Sequence, residues 1–206
     1  MDSPTTTERE PRGSLHPVGE TLAAMAVVSA AFWLVGLVAA PLARLLFVLS
    51  PPAVAKPWTL GTSVYAHAGV GHLLANAVVV AVAGVPVAAG TTRARFHGFV
   101  LATGALAGLA QVWLGGLVAP AGVGVLGTSG AAFALVGYVA VANPAAAALG
   151  RVVDRIGVPF RVAALAVGLL AVLVTLALSG PGSALVAHLV GLLLGAGAGR
   201  VRLLAV

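Results

Sequence analysis

The run "VAALAVGLLAVLVTLALSGPGSALVAHLVGLLLGAGAG", residues 162–199, contains no Asp, Glu, Lys or Arg. It is too long for one crossing of a hydrocarbon core roughly 30 Å thick, which takes about 20 helical residues. The stretch "SGPGS" at 179–183 divides it, because Gly and Pro interrupt a helix. Two membrane spans joined by a short turn are expected. Working outward, the charged residues fall in clusters, and the uncharged runs between them lie at about 21–40, 66–89, 96–117 and 129–150. The chain is therefore read as six spans. These runs are apolar all round, without the polar face that a helix on the surface of a soluble domain carries.

Composition agrees with a membrane chain. Of the 206 residues 60% are hydrophobic and 8% charged, and the mean hydropathy is +1.10. A soluble domain of that length could not cover its core with so few polar side chains. Placing the N-terminus in the cytoplasm puts Arg9, Arg12, Arg93, Arg95, Arg151, Arg155, Arg161, Arg200 and Arg202 inside, and only Arg44 and Lys56 outside. An even number of spans with both termini cytoplasmic satisfies the positive-inside rule. The net charge of +6 is thus a topology signal, and no basic stripe with interleaved aromatics points to nucleic acid. Residues 1–20 are polar and Pro-rich and read as a disordered cytoplasmic tail; with no cleavage site before the first span, they do not read as a signal peptide. The chain has no cysteine, which excludes disulfides and thiol nucleophiles.

Strongly polar side chains within a membrane are costly and mark function by default. The five acidic residues are Asp2, Glu8, Glu10 and Glu20, in or beside the tail, and Asp154, between the fourth and fifth spans. With no carboxylate expected in any span, carriers built on a membrane Asp or Glu, aspartyl proteases and HExxH zinc proteases are excluded. What remains is "HAGVGHLLAN" with His67, His72 and Asn76, then Ser129 in "GTSG" at the opening of the fourth span, and His188 in "AHLVGLLLG" on the sixth.

In the assigned topology the second, fourth and sixth spans all start on the outer side. His72 and His188 then lie about six residues in, roughly 9 Å deep at 1.5 Å per residue. Ser129 reaches that depth if the glycine-rich loop before it, with Pro120, dips into the protein, where irregular backbone is tolerated under cover. His72 and Asn76, four apart, share a helical face; His67 is rotated away and is balanced between a role at the helix entrance and simple interfacial placement. Ala187, Gly191 and Gly195 form a small-residue ridge beside His188, and Gly130 and Ala134 offer a matching surface on the fourth span, a pattern that lets two helices approach closely. Close contact there would bring His188 within reach of Ser129. His188 could then act as general base for the Ser129 hydroxyl, a weak nucleophile without one. His72, Asn76 and the Ser129 amide would supply oxyanion donors, and the missing carboxylate makes this a dyad. Taken singly, Ser129 is an ordinary N-cap residue, His188 and Asn76 are interhelical hydrogen bonders, and Phe133 is packing. Gln111 and Trp113 are expected to pack or anchor, His16 and His97 to sit in the tail and at the inner boundary, and Pro144 to kink the inner end of the fourth span.

At these residues the chain resembles the rhomboid intramembrane serine proteases. "HAGVGHLLAN" matches the family's H-x4-H-x3-N, "GTSG" its G-x-S-G and "AHLVGLLLG" its A-H-x2-G-x3-G, in order and on the expected spans. The resemblance implies an all-α membrane protein, a six-transmembrane-helix rhomboid-like bundle occupying residues 21–202, multi-pass in a prokaryotic cell membrane. It implies Ser129 as nucleophile and His188 as base, with His72, Asn76 and the backbone near Gly127 and Ser129 binding the oxyanion, and Phe133 stacked on His188. No metal or organic cofactor is implied. The implied partners are the lipid bilayer and other proteins' transmembrane segments, entering sideways and cut near the outer face. A catalytically silent client-binding relative is the alternative, and a solute channel a weaker one. Two features depart from the family pattern: Trp58 is followed by Thr59 and not Arg, and "GVPVAAG" at 84–90 lacks the acidic residue often found there. The apolar outer loop, with Leu42, Leu45, Leu46, Phe47 and Leu49, is expected to lie partly in the lipid surface.

Overall fold

The computed structural model describes residues 15–118, 124–144, 148, 151–152, 155–178 and 183–205. The expectations for Arg9, Arg12, Pro120, Asp154 and most of "SGPGS" fall outside these residues.

Among the described residues the elements are helical. They are α1 (His16–Val38), α2 (Ala40–Phe47), a 3-10 turn (Ala53–Ala55), α3 (Thr59–Tyr65), α4 (Val70–Ala88), α5 (Arg93–Val118), α6 (Ser129–Ala142), α7 (Phe160–Leu178) and α8 (Leu185–Arg200). Three helices, His16–Val38, Val70–Ala88 and Arg93–Leu114, are long and apolar enough to cross a membrane. Their outward faces carry exposed apolar side chains such as Leu34, Leu37, Val78, Val82 and Leu106. Such surface is stable only against lipid or another protein.

Several boundaries differ from those read in the sequence. Helix α1 starts at His16, with Pro17 in its first turn, a position that suits proline because its fixed φ fits the helix and its missing N–H has no helical partner there. His16–Glu20 are therefore helical and do not belong to a polar tail. Glu20 thus lies within α1, where its carboxylate accepts bonds from Arg93 Nε (2.9 Å) and His97 Nε2 (2.8 Å). Helix α6 ends at Ala142, well short of residue 150. The residue before a proline is forced out of the α region, and Asn143, ahead of Pro144, has ψ 157°. Its side-chain amide donates to the carbonyls of Val139 and Ala140. The helical path is thus broken at Asn143, and Pro144 after it is again helical. At the other end Leu204 packs into the core, so the folded unit runs past residue 202.

The core is continuous through α1, α4, α5 and α6, with Met25, Val80, Phe96, Val100 and Leu135 at its centre. The outer loop is itself structured: α2 begins with a proline in its first turn, and Leu49 and Ala53 pack on Val112 of α5. Leu49 and Val125 exchange backbone bonds of 3.0 and 2.8 Å, tying that loop to the segment before α6.

The closest packing is between α6 and α8. A Cβ on Gly191 would fall on the Gly130 carbonyl, one on Gly195 on the Ala134 carbonyl and one on Gly137 on the Leu192 carbonyl. The two helices touch backbone to backbone, through the small residues that the sequence pattern marks.

Candidate active site

The α6–α8 seam determines where the polar residues meet. Ser129 is the first residue of α6, and His188 lies one turn into α8. Both line one cavity of about 600 Å³, together with His72 and Asn76 from α4, Gln111 from α5 and Phe133 from α6. The Phe133 ring stacks on the His188 imidazole with centroids 4.4 Å apart and planes 12° from parallel. Face-to-face contact of this kind restricts rotation of the imidazole about its side-chain bonds.

The start of α6 lies inside the protein. The helix has 14 residues, about 21 Å at 1.5 Å per residue, against roughly 30 Å for a full crossing. The turn before it is fastened to the end of α3 and to the stretch that links α3 to α4. Gly127 N–H donates to the Ser63 carbonyl (2.8 Å), the Thr128 hydroxyl to the Val64 carbonyl (2.6 Å), and Thr128 N–H to His67 Nε2 (3.3 Å). Thr128, at the N-cap, makes no side-chain cap. The first amides of α6, at the positive end of the helix, thus receive no side-chain cap from Thr128, and Ser129 among them lines the cavity.

The two residues on α4 behave differently from each other. Asn76 Nδ2 donates to the His72 carbonyl at 2.9 Å; a carboxamide has two N–H groups, and this bond engages one. The His72 ring meets His67 edge to face at 5.0 Å and lies over Gly127. A Cβ at Gly127 would come within 2.7 Å of His72 Cε1, and its φ of +125° is itself a glycine conformation. The Gly127 N–H, expected as an oxyanion donor, is bonded to the Ser63 carbonyl in this structure, and Gly127 lies beneath the His72 ring.

Two neighbours do more than the sequence leads one to expect: Gln111, expected only to pack or anchor, and Thr128, which no pattern marks. Gln111 Oε1 accepts the Ala187 amide at 3.1 Å, tying α5 to the first turn of α8 next to His188. A glutamine within an otherwise uncharged run is a signal in itself. Thr128 was hidden within its motif because its partners are remote in sequence.

The Rhomboid domain family matches residues 54–204, well over half the chain and including every residue of the cavity. The chain belongs to the rhomboid family. It is an integral membrane protein, a rhomboid protease or pseudoprotease. None of the curated proteins compared with the chain matches it.

Proposed function

We propose that this rhomboid is an active intramembrane serine endopeptidase that cleaves transmembrane segments of other proteins near the outer face of a prokaryotic cell membrane. In this reading α1, α4, α5, α6, α7 and α8 are six spans and both termini are cytoplasmic, with a tail reaching the start of α1. The observation that carries the reading is the convergence of Ser129 and His188 on one cavity, with His188 held against Phe133.

The Ser129 hydroxyl attacks the scissile carbonyl as His188 takes its proton, a general-base role that an unassisted serine requires. The oxyanion is received by the Ser129 amide at the start of α6, His72 and the second N–H of Asn76. His188 then passes the proton to the leaving amine. Water, deprotonated by His188, attacks the acyl-enzyme and releases the new carboxylate with Ser129 restored. The nearest carboxylate on α1, Glu20, is bonded to Arg93 and His97 at the start of α5, while Gln111 at the cavity is about 21 Å further along that helix. A dyad without acid is the working unit. A substrate helix hides its carbonyls in its own hydrogen bonds, so it must unwind at the site before attack.

Reconstitution in proteoliposomes with a fluorescent transmembrane substrate tests this. Cleavage by the native chain and its loss, by more than about 10³-fold, in both Ser129→Ala and His188→Ala is expected. Binding of intact substrate without cleavage by the folded native chain would overturn it in favour of a client-binding pseudoprotease.

A further inference from the structure

His67 stays outside the lining of the cavity and is fully buried, yet it sits at the centre of a polar cluster the catalytic scheme does not use. Its Nδ1 lies 3.0 Å from the Ser29 hydroxyl and 3.0 Å from the Tyr65 carbonyl. Its Nε2 accepts the Thr128 amide. Ser29 also donates to the Tyr65 carbonyl at 3.2 Å, and Trp33 Nε1 donates to the His67 carbonyl at 2.8 Å.

These contacts leave one assignment for the ring. A backbone N–H only donates and a backbone carbonyl only accepts. Nε2 must therefore be bare and Nδ1 must carry the proton, which it shares between Ser29 and Tyr65. The imidazole is neutral and in a single tautomer, fixed on one side by α1 and on the other by the residue before Ser129.

We infer that His67 is a positioning residue for Ser129, holding the turn from which the nucleophile and its amide project. The inference rests on the protease reading. Thr128 is gripped at its hydroxyl by Val64 and at its amide by His67, so its side chain and the peptide plane on its N-terminal side are both constrained. The Ser63 bond to Gly127 fixes the backbone one residue earlier. Of these three anchors only His67 is a side chain supplied by the partner segment, and only His67 continues into α1. Loosening it shifts the Ser129 hydroxyl and amide relative to His188 without touching substrate, and displacements of about 1 Å are costly to reacting groups.

Paired amide substitutions separate this role from simple packing. The carboxamide of Asn reaches about as far as imidazole Nδ1, and that of Gln about as far as Nε2. His67→Asn keeps the contacts to Ser29 and Tyr65 and gives up Thr128; His67→Gln offers its carbonyl oxygen to the Thr128 amide and gives up the others. Turnover of the proteoliposome substrate and thermal unfolding in detergent are measured for both. The expected result is opposite ranking: kcat for His67→Asn falls by about tenfold with KM within about twofold, and kcat for His67→Gln stays within about threefold, although His67→Asn unfolds at the higher temperature. Equal kcat for the two variants, or kcat that follows unfolding temperature, overturns the inference. If neither variant folds, Ser29→Ala decides: a two- to threefold lower kcat at unchanged KM supports the role, and native kcat overturns it. A native chain that cleaves nothing defeats the protease reading itself, a result distinct from either ranking.

Discussion

Helices α6 and α7 are both apolar, yet they are held in opposite ways. At α6, the partner α8 comes so close that side chains are excluded at Gly137, Gly191 and Gly195 and the backbone carbonyls of Leu192, Gly130 and Ala134 occupy the contact. At α7, Ala171 and Thr175 are the buried positions among the side chains described, while Leu165, Leu169, Leu173 and Leu176 face outward. Ala171 meets the bundle through Phe133 and Leu192, and the buried Thr175 hydroxyl has no hydrogen-bond partner among the described residues. A seam packed backbone to backbone has no intermediate positions, whereas the buried contacts described for α7 are made by small side chains. In this account the close-packed pair carries Ser129 and His188, and the proposed substrate approaches the cavity from the membrane beside α7.

The comparison is most exposed at the seam. Gly195→Leu is expected to prevent folding, and Gly195→Ala to destabilise by the upper part of the about 1–3 kcal/mol typical of overpacking, because the obstacle is a backbone carbonyl that no rotamer change relieves. Thermal unfolding in detergent measures this; a change under about 0.5 kcal/mol would show that the seam yields like any other contact. Next in size is Gly127→Ala, which forces a side chain into a positive φ and against the His72 ring. A stability loss of about 1–3 kcal/mol with turnover reduced on the order of 10²-fold is expected, and turnover that falls no further than stability explains would remove Gly127 from the site.

Much of this division was legible in the sequence, and the parts that were not share a cause. The apolar runs gave the positions of the long helices, and the spacing of Gly191 and Gly195 against Gly130 and Ala134 announced the seam, because helical periodicity is local information. The stacking of Phe133 on His188 is what the rhomboid resemblance implies, since the residues alone mark Phe133 only as packing. The end of α6 at Ala142 was missed, although Asn143–Pro144 carries the signal, because an uninterrupted apolar run outweighed it. Helices α2 and α3 are too short for periodicity to register, so the sequence shows only an apolar outer loop there. The anchoring of the Gly127–Thr128 turn by Ser63, Val64 and His67, with the Gly127 N–H engaged by Ser63, depends on pairings between remote segments that no single-segment pattern encodes.

Smaller effects refine the contrast. Phe133→Leu keeps the cavity apolar and removes the ring beneath His188. Such aromatic contact contributes about 0.5–1.5 kcal/mol, so kcat should fall roughly two- to tenfold with KM little changed, and an unchanged kcat would make Phe133 packing alone. On α7, Leu173→Ala removes an outward side chain and should move stability by less than about 0.5 kcal/mol, with turnover equal or higher. A loss matching that of Phe133→Leu would mean that α7 is as integral to the site as the seam is.

The most direct test of the central claim is labelling of the detergent-solubilised protein with a fluorophosphonate, with the modified peptide located by mass spectrometry. The account predicts one adduct, on Ser129, that is absent in Ser129→Ala and strongly reduced in His188→Ala. A folded native chain that takes no label, or takes it equally well without His188, would contradict it.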